Sequence, residues 1–148
     1  MRRWAWRLWL VAWAPLGVVA LHSGVAAAIG HRREYDPFLH FLGGAAGAHC
    51  LLRVLQLFRG GFGRLAQIDP RLLVLAVMVV VTGAWELAEF LSDRVLGTRV
   101  QLGPDDTAMD IVLGVAGAIV AIVWATFANW GGRSKADAGS GSDPHRAG

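Results

Sequence analysis

Residues 72–91 read LLVLAVMVVVTGAWELAEFL, and this stretch decides the fold. About 20 consecutive apolar residues form a helix long enough to cross a hydrocarbon core of about 30 Å. The stretch is therefore predicted to be a transmembrane helix. It differs from an ordinary lipid-facing helix in one respect, because two carboxylates, Glu86 and Glu89, lie near its end.

Three more apolar runs accompany this helix, at about residues 8–29, 37–58 and 108–130. The chain has 148 residues, of which 55% are hydrophobic and 17% charged, whereas a soluble domain carries about 25% charged residues. None of the runs alternates in the period-two pattern of a membrane β-barrel. We therefore predict an all-α, polytopic membrane protein with four transmembrane helices in a small bundle (residues 1–130) and a flexible polar C-terminal tail (residues 131–148).

The first apolar run has a second interpretation. It follows a basic start and ends near Ala26-Ala27-Ala28, which also suits a signal peptide with a small-residue cleavage site. Its length of about 22 residues exceeds the 7 to 15 or so of a signal-peptide core. We therefore predict an uncleaved span and keep cleavage after Ala28 as the alternative.

Basic residues are distributed unevenly between the two sides of the predicted bundle. Three lie before the first span, three between spans two and three, and three in the tail, whereas the other two connectors carry two each. The positive-inside rule then predicts that both termini are cytoplasmic. Because the basic residues flank apolar runs, we expect membrane lipids as partners and no nucleic acid.

Most carboxylates gather at the opposite, outer end of this bundle. Eight of the eleven fall where spans two, three and four reach that side. They are Glu34, Asp36, Glu86, Glu89, Asp93, Asp105, Asp106 and Asp110. Spacings of three and four residues within each segment place members of each group on one helix face. Separate segments are thus expected to converge at one level of the membrane.

Some residues at this level also suit purely structural roles. Asp36 precedes a proline and matches a helix N-cap, and the spacing of Thr107 and Asp110 matches a capping box. His40 taken alone suits a hydrogen-bonded packing position. His49, nine residues further along, falls on the opposite helix face and is interpreted as packing.

Glu86 and Glu89 are harder to explain structurally. They lie in the last turns of the predicted span, where the helix dipole disfavours anions, and burial of either is costly unless a cation or hydrogen-bond donor neutralises it. One candidate is a divalent metal, Mg²⁺, Mn²⁺ or Zn²⁺, bound by carboxylates and one imidazole. Its predicted ligands are Asp36, His40, Glu86, Glu89, Asp106 and Asp110. The other candidate is a protein network that uses Arg94, Arg99 or His22.

No motif in the chain identifies a reaction. It contains no Gly-x-Ser-x-Gly, Walker or dinucleotide-binding sequence. A single cysteine, Cys50, excludes an intramolecular disulfide and argues against a structural zinc or iron–sulfur site. Small residues recur at helical spacing on spans two and four, which favours close helix contact and is compatible with a homodimer.

Four short segments follow one another over about residues 35–122. They are Tyr35-Asp36 with His40-Phe41, Trp85-Glu86-Leu87-Ala88-Glu89, Gly97-Thr98 with Gln101, and Asp106-Thr107 with Asp110, Gly114 and Gly117-Ala118. In these segments the chain resembles the YjdF-like bacterial inner-membrane proteins, a family of unknown function. The resemblance implies an inner-membrane location. It also marks the six predicted ligands as the polar residues of the family pattern.

Two features depart from that family. Its members usually have more spans before this region, and they carry an acidic residue where this chain has Gly103. A weaker likeness to VanZ-like envelope proteins, which have a similar arrangement of acids at helix ends, implies a role in the cell envelope. Neither likeness supplies a reaction.

The sequence leaves two functions open. The first is a metal-dependent membrane enzyme acting on a lipid headgroup or an envelope precursor, with Glu86 or Glu89 as the catalytic general base and a metal-bound water as the nucleophile. The second is a non-enzymatic membrane protein whose buried acids and histidine carry protons or ions, or hold the helix bundle together. A dedicated substrate-binding element would favour the enzyme over the non-enzymatic protein, and none is evident in the sequence.

Overall fold

The computed structural model describes residues 9, 11–21, 24, 35–58, 61, 63–101 and 103–140. This part of the chain contains four α-helices, which we name α1 (Val11–Leu21), α2 (Asp36–Phe58), α3 (Pro70–Leu96) and α4 (Pro104–Ser140). A short 3₁₀ helix, Gly63–Gln67, precedes α3. No β-strand occurs among the described residues. The prediction of an all-α fold is confirmed.

Three of these helices are long and apolar enough to cross a membrane, judged by length and composition. They are α2, α3 and the segment Pro104–Ala128 of α4. Helix α1 is apolar but shorter. Both ends of the predicted span at 8–29, with the alternative cleavage site after Ala28, lie outside the described residues. The helices are those of a small membrane bundle.

Capping explains why α3 extends beyond the predicted residues 72–91. The Asp69 carboxylate accepts a hydrogen bond from the Arg71 amide (2.8 Å), and Pro70 occupies the first helical position. At the other end Gly97 has φ 68°, a left-handed conformation that glycine adopts without strain and that ends a helix. Hydropathy marks only the apolar middle of a helix, so it does not detect these polar turns.

Helix α4 begins at Pro104, earlier than the predicted residue 108. The Thr107 amide donates to the Gly103 carbonyl (3.1 Å), so Thr107 lies within the first turn and not at the N-cap. The capping-box interpretation of Thr107 and Asp110 is therefore wrong.

The C-terminal end of α4 reaches Ser140, beyond residue 131, where the predicted polar tail begins. The flexibility of that tail stays a prediction. Residues 133–138 contain neither glycine nor proline, so the helical hydrogen bonds can continue through them. Residues 141–148 lie outside the described part of the chain.

Glycines allow α2 and α4, the most extensively packed pair, to approach closely. A Cβ on Gly44 would collide with the backbone of Gly114, and a Cβ on Gly117 would collide with the carbonyl of Phe41. Helix association in lipid depends on such packing, because apolar side chains gain little by leaving a hydrocarbon solvent. These glycines therefore make helix contacts within a single chain. A homodimer stays a prediction.

Helix α3 packs against the α2–α4 pair. A Cβ on Gly114 would meet the Thr82 methyl group. Further along, Val74 and Met78 of α3 lie in a buried core, whose other members are Ala48, Leu52 and Ala118. The packing brings the start of α2, the later part of α3 and the start of α4 to the same end of the bundle.

We expect Gly44→Ala to destabilise the folded protein, because the added methyl group has to push α2 away from the Gly114 backbone. Gly43→Ala is the matched control, since a Cβ at position 43 meets no atom within 4 Å. Alanine also favours the helix over glycine by about 1 kcal/mol. The thermal midpoint in detergent should fall for Gly44→Ala and stay level or rise for Gly43→Ala. Equal midpoints for both variants would contradict the backbone contact.

Candidate metal centre

His40 lies at the centre of a cluster of carboxylates from three helices. Its Nδ1 is 3.5 Å from Glu86 Oε1 of α3. Its Nε2 is 3.6 Å from Asp36 Oδ1 of α2 and 3.8 Å from Asp110 Oδ2 of α4. Glu89, one turn beyond Glu86, completes the cluster. The imidazole therefore faces carboxylates on both of its nitrogens.

Most of this cluster is buried. The exposed fractions are 4% for Glu86, 3% for Asp110 and 9% for Glu89. Neither carboxylate oxygen of Glu86 accepts a hydrogen bond of good geometry among the described residues, although the Thr107 hydroxyl and the His40 imidazole lie beside it. Removing a carboxylate from water without such a hydrogen bond carries a large free-energy penalty. Glu86 therefore requires a proton or a cation close to it.

Two overlapping groups of residues have donor atoms close enough together for a metal ion. Asp36, His40 and Asp110 form one group, and His40, Glu86 and Glu89 form the other. Within each group the donor atoms lie within 4.8 Å of one another. His40 belongs to both groups, with Nδ1 toward Glu86 and Nε2 toward the aspartates. A metal on one nitrogen would leave the other to donate its N–H to a carboxylate, the usual arrangement around metal-bound histidines.

The structure brings together five of the six predicted ligands. The sixth, Asp106, is half-buried one turn before Asp110 and belongs to neither donor group. Asp36 is in the first turn of α2 and not at its N-cap, because the Leu39 amide donates to the Tyr35 carbonyl (3.1 Å). The metal itself stays a prediction.

Trp85 is a member of the site that the sequence does not identify. Its indole Nε1 donates a hydrogen bond to Glu89 Oε1 at 2.7 Å. This bond holds one oxygen of Glu89 in place. The two residues are four apart on one helix, a spacing at which side chains meet. Tryptophan is also common at membrane interfaces, which makes the spacing easy to overlook.

Burial, and not the helix dipole, makes the two glutamates costly. A dipole penalty is expected if the helix ends near residue 91, but α3 continues to Leu96. Its end is about 15 Å beyond Glu86 at 1.5 Å per residue, and the dipole effect fades within the last turn. The expected dipole penalty is therefore wrong. The free-energy cost of Glu86 and Glu89 comes instead from their low exposure.

The proposed protein network does not form among the described residues. The Arg94 guanidinium lies over the Phe90 ring, 5.1 Å from its centroid, and Arg99 is exposed. Neither is within ion-pair distance of the buried acids. His22 lies outside the described residues. Within the described part, His40 is therefore the only basic side chain paired with the four acids.

Asp93 has a role separate from the cluster, because it organises the α3–α4 loop. Its Oδ1 accepts hydrogen bonds from the Thr98 hydroxyl and the Val100 amide (2.9 Å), and its Oδ2 accepts one from the Gln101 amide (3.0 Å). The Gln101 side chain in turn donates to the Thr107 hydroxyl at 2.7 Å. The loop is thus tied to both helices that carry the glutamates and Asp110.

His49 lies away from the cluster, as its spacing from His40 predicts. Its ring packs edge-on against Trp13 of α1, with the centroids 6.3 Å apart and the planes at 67°. This contact joins α1 to α2 and agrees with the packing role inferred from the sequence.

Comparison with known proteins gives one match. A family model described as "predicted membrane protein (DUF2238)" matches residues 4–130. No curated protein and no solved structure matches the chain significantly. The match supports an uncharacterised membrane family, and the more specific likeness to YjdF-like proteins stays a prediction.

We expect Asp93→Ala to loosen the α3–α4 loop, because three donors lose their acceptor at once. Hydrogen exchange at the Val100 and Gln101 amides should accelerate, and the thermal midpoint should fall. Asp105→Ala is the control, since it removes an exposed carboxylate from the start of α4. Unchanged exchange at both amides in Asp93→Ala would show that this aspartate does not hold the loop.

Proposed function

The chain belongs to the DUF2238 family of predicted membrane proteins, and we propose that it binds a divalent cation in the bundle through His40, Glu86 and Glu89. One observation carries this proposal. Glu86 is 96% buried, and neither of its oxygens accepts a hydrogen bond of good geometry from the described residues, although it faces the cluster. The one basic side chain beside it among the described residues is His40, which the other three carboxylates share, so the burial of Glu86 calls for a further cation or a proton.

The charge of the cluster supports a cation. Four carboxylates surround a single imidazole, so one imidazolium cannot neutralise them all. Repulsion between like charges is strong where water is excluded. A divalent cation lowers this repulsion more than a single proton does.

Of the two donor groups, the one that contains Glu86 and Glu89 suits a metal ion better, because Glu86 is the carboxylate that lacks a hydrogen bond of good geometry. A cation here would use His40 Nδ1, and the Nε2–H would then point to Asp36 and Asp110. Such outer carboxylates fix the tautomer and the orientation of a metal-bound histidine. Trp85 orients Glu89 in the same way through its indole N–H. Oxygen and imidazole ligands suit Mg²⁺, Mn²⁺ or Zn²⁺.

The proposed activity is hydrolysis at a lipid headgroup or an envelope precursor. A cation held by His40, Glu86 and Glu89 would lower the pKa of a water bound beside it toward neutral. For the reaction, Glu89 would give up its place on the cation and accept the water proton as general base, while the hydrogen bond from Trp85 holds its carboxylate in place. The water oxygen would then form a bond to the substrate carbonyl or phosphorus as the bond to the leaving oxygen breaks, and the proton would pass from Glu89 to that oxygen.

The proposed location of this site is the outer side of an inner membrane, with both termini in the cytoplasm. The support is the excess of basic residues at the start, the middle connector and the tail. The Asp93-bound loop lies between α3 and α4, so it is on the same side as the site.

Proton binding is the second candidate function. It is favoured by the position of His40, whose two nitrogens face carboxylates on opposite sides within 3.8 Å. An imidazole in such a position can take a proton on one nitrogen and release one from the other. Metal dependence separates this candidate from the first.

We expect a chelator to lower the thermal midpoint of the purified protein, and Mn²⁺ or Zn²⁺ to restore it. A ligand that binds only the folded state stabilises it by RT ln(1 + [L]/Kd), about 2.7 kcal/mol at a hundredfold excess over Kd. Glu86→Gln keeps nearly the same volume and should abolish the dependence on metal. Asp105→Asn, a neutralised carboxylate exposed at the same end of the bundle, should keep it.

Asp106→Asn tests the sixth predicted ligand in the same assay, and a retained metal effect is expected from its place outside both donor groups. Protein that contains no stoichiometric metal and melts identically with and without chelator would refute the metal site. Proton binding would then be the better account of the cluster.

We expect a cysteine at Arg99 to react with an impermeant thiol reagent added outside intact cells, and a cysteine at Gly61 not to react. Both positions are exposed, and Arg99 avoids the strain that a side chain meets at Gly97, where φ is 68°. Cys50 is first replaced by serine. Labelling at position 61 alone would show that the orientation is opposite to the predicted one and that the acids lie on the cytoplasmic side.

A further inference from the structure

A cavity of about 240 Å³ lies between α1, α2 and α3, directly beside the cluster. Its walls are almost entirely apolar side chains and glycines. Its described lining includes Val18 of α1, Leu39 and Gly43 of α2, and Val81 and Trp85 of α3. Among the described lining residues, the only ionisable side chain is that of His40. The cavity is thus mostly apolar and reaches the proposed cation site at His40.

Glycine at position 43 keeps this space open. A Cβ built on Gly43 meets no atom within 4 Å. The space beside Gly43 is therefore not filled by side chains of α1 or α3. Val18 of α1 and Val81 of α3 both contribute to the wall. An apolar cavity of this kind suits an alkyl chain.

The polar end of the cavity determines what kind of molecule fits. Trp85 and His40 both line the cavity, and both contact carboxylates of the cluster. The ionised carboxylates of the cluster repel an anion, whereas a divalent cation held there would reduce this repulsion and offer a coordination position to a phosphate oxygen. A molecule with an apolar chain and an anionic head is complementary to both parts of the site only in the second case.

We propose that this cavity binds an acyl chain of an anionic phospholipid, with the phosphate at the cation held by His40, Glu86 and Glu89. This inference rests on the proposed function and names its substrate class. Retention of the lipid therefore depends on two features. One is the open space at Gly43, and the other is the divalent cation.

The test uses the full-length protein in vesicles of phosphatidylethanolamine and phosphatidylglycerol that contain a phosphatidylglycerol with a diazirine in one acyl chain. After irradiation in the presence of Mn²⁺, peptide mass spectrometry locates the crosslinks. We expect them to concentrate on cavity residues such as Val18 and Val81, above Val79, which is about as exposed as Val81 but does not line the cavity.

Substitutions at two glycines provide the decisive comparison. Gly43→Leu fills the cavity and should lower crosslinking at Val18 and Val81 about tenfold, equivalent to about 1.4 kcal/mol of binding free energy. Gly83→Leu is the matched control, because a Cβ at Gly83 also meets no atom within 4 Å and Gly83 does not line the cavity. Gly43→Val gives a smaller obstruction if the leucine variant does not fold, and its effect should be intermediate.

Each outcome decides the matter. Crosslinks spread evenly over all lipid-facing residues, or unchanged by Gly43→Leu and Gly43→Val, overturn the lipid site even if the chelator melts support the metal. Concentrated crosslinks that persist with chelator overturn the link between phosphate and cation. Crosslinks that require Mn²⁺ in the parent protein and are lost in Glu86→Gln support the whole proposal. Crosslinks between two copies of the chain at the cavity would show that a second chain occupies it and would overturn the lipid site.

Discussion

The backbone contact between α2 and α4 is the constraint on which the site depends. Gly44 and Gly117 carry no side chain to separate the helices, so α2 lies directly against the backbone of α4. Four residues before Gly44, the same helix carries His40. The close approach therefore places the imidazole 3.8 Å from Asp110. At a wider helix spacing, the His40 imidazole and the Asp110 carboxylate would both be buried in an apolar medium and would no longer contact each other.

The membrane makes this cluster energetically unusual. In water, four carboxylates near one histidine would be screened and separately hydrated. Inside the bundle, Glu86 and Asp110 are almost inaccessible, and the described chain supplies no arginine or lysine to pair with them. The free energy of burial has to be offset by a proton or a cation close to these carboxylates. This requirement, and no motif in the sequence, is the basis of the proposed cation site.

The sequence predicts the helices and the level of the acids because both follow from membrane thickness and from the cost of buried charge. It predicts five of the clustered residues for the same reason. It places Asp93 on the same face of α3 as the two glutamates, since residue spacing does not reveal that Asp93 binds the α3–α4 loop. The hydrogen bond from Trp85 and the cavity at Gly43 depend on how the helices are rotated about their axes, which hydropathy does not determine. The ends of α3 and α4 are set by capping residues, to which hydropathy is insensitive.

Asp93 has a consequence for how the site can move. By binding the loop amides, it makes α3 and α4 a hairpin whose two arms are joined firmly at the end nearest the cluster. The two glutamates and Asp110 are thus carried by one hairpin, whereas Asp36 and His40 are carried by α2. The donor groups of the proposed centre therefore stay together only while α2 remains packed against the hairpin. The contacts of Gly44 and Gly117 set how closely α2 lies against it.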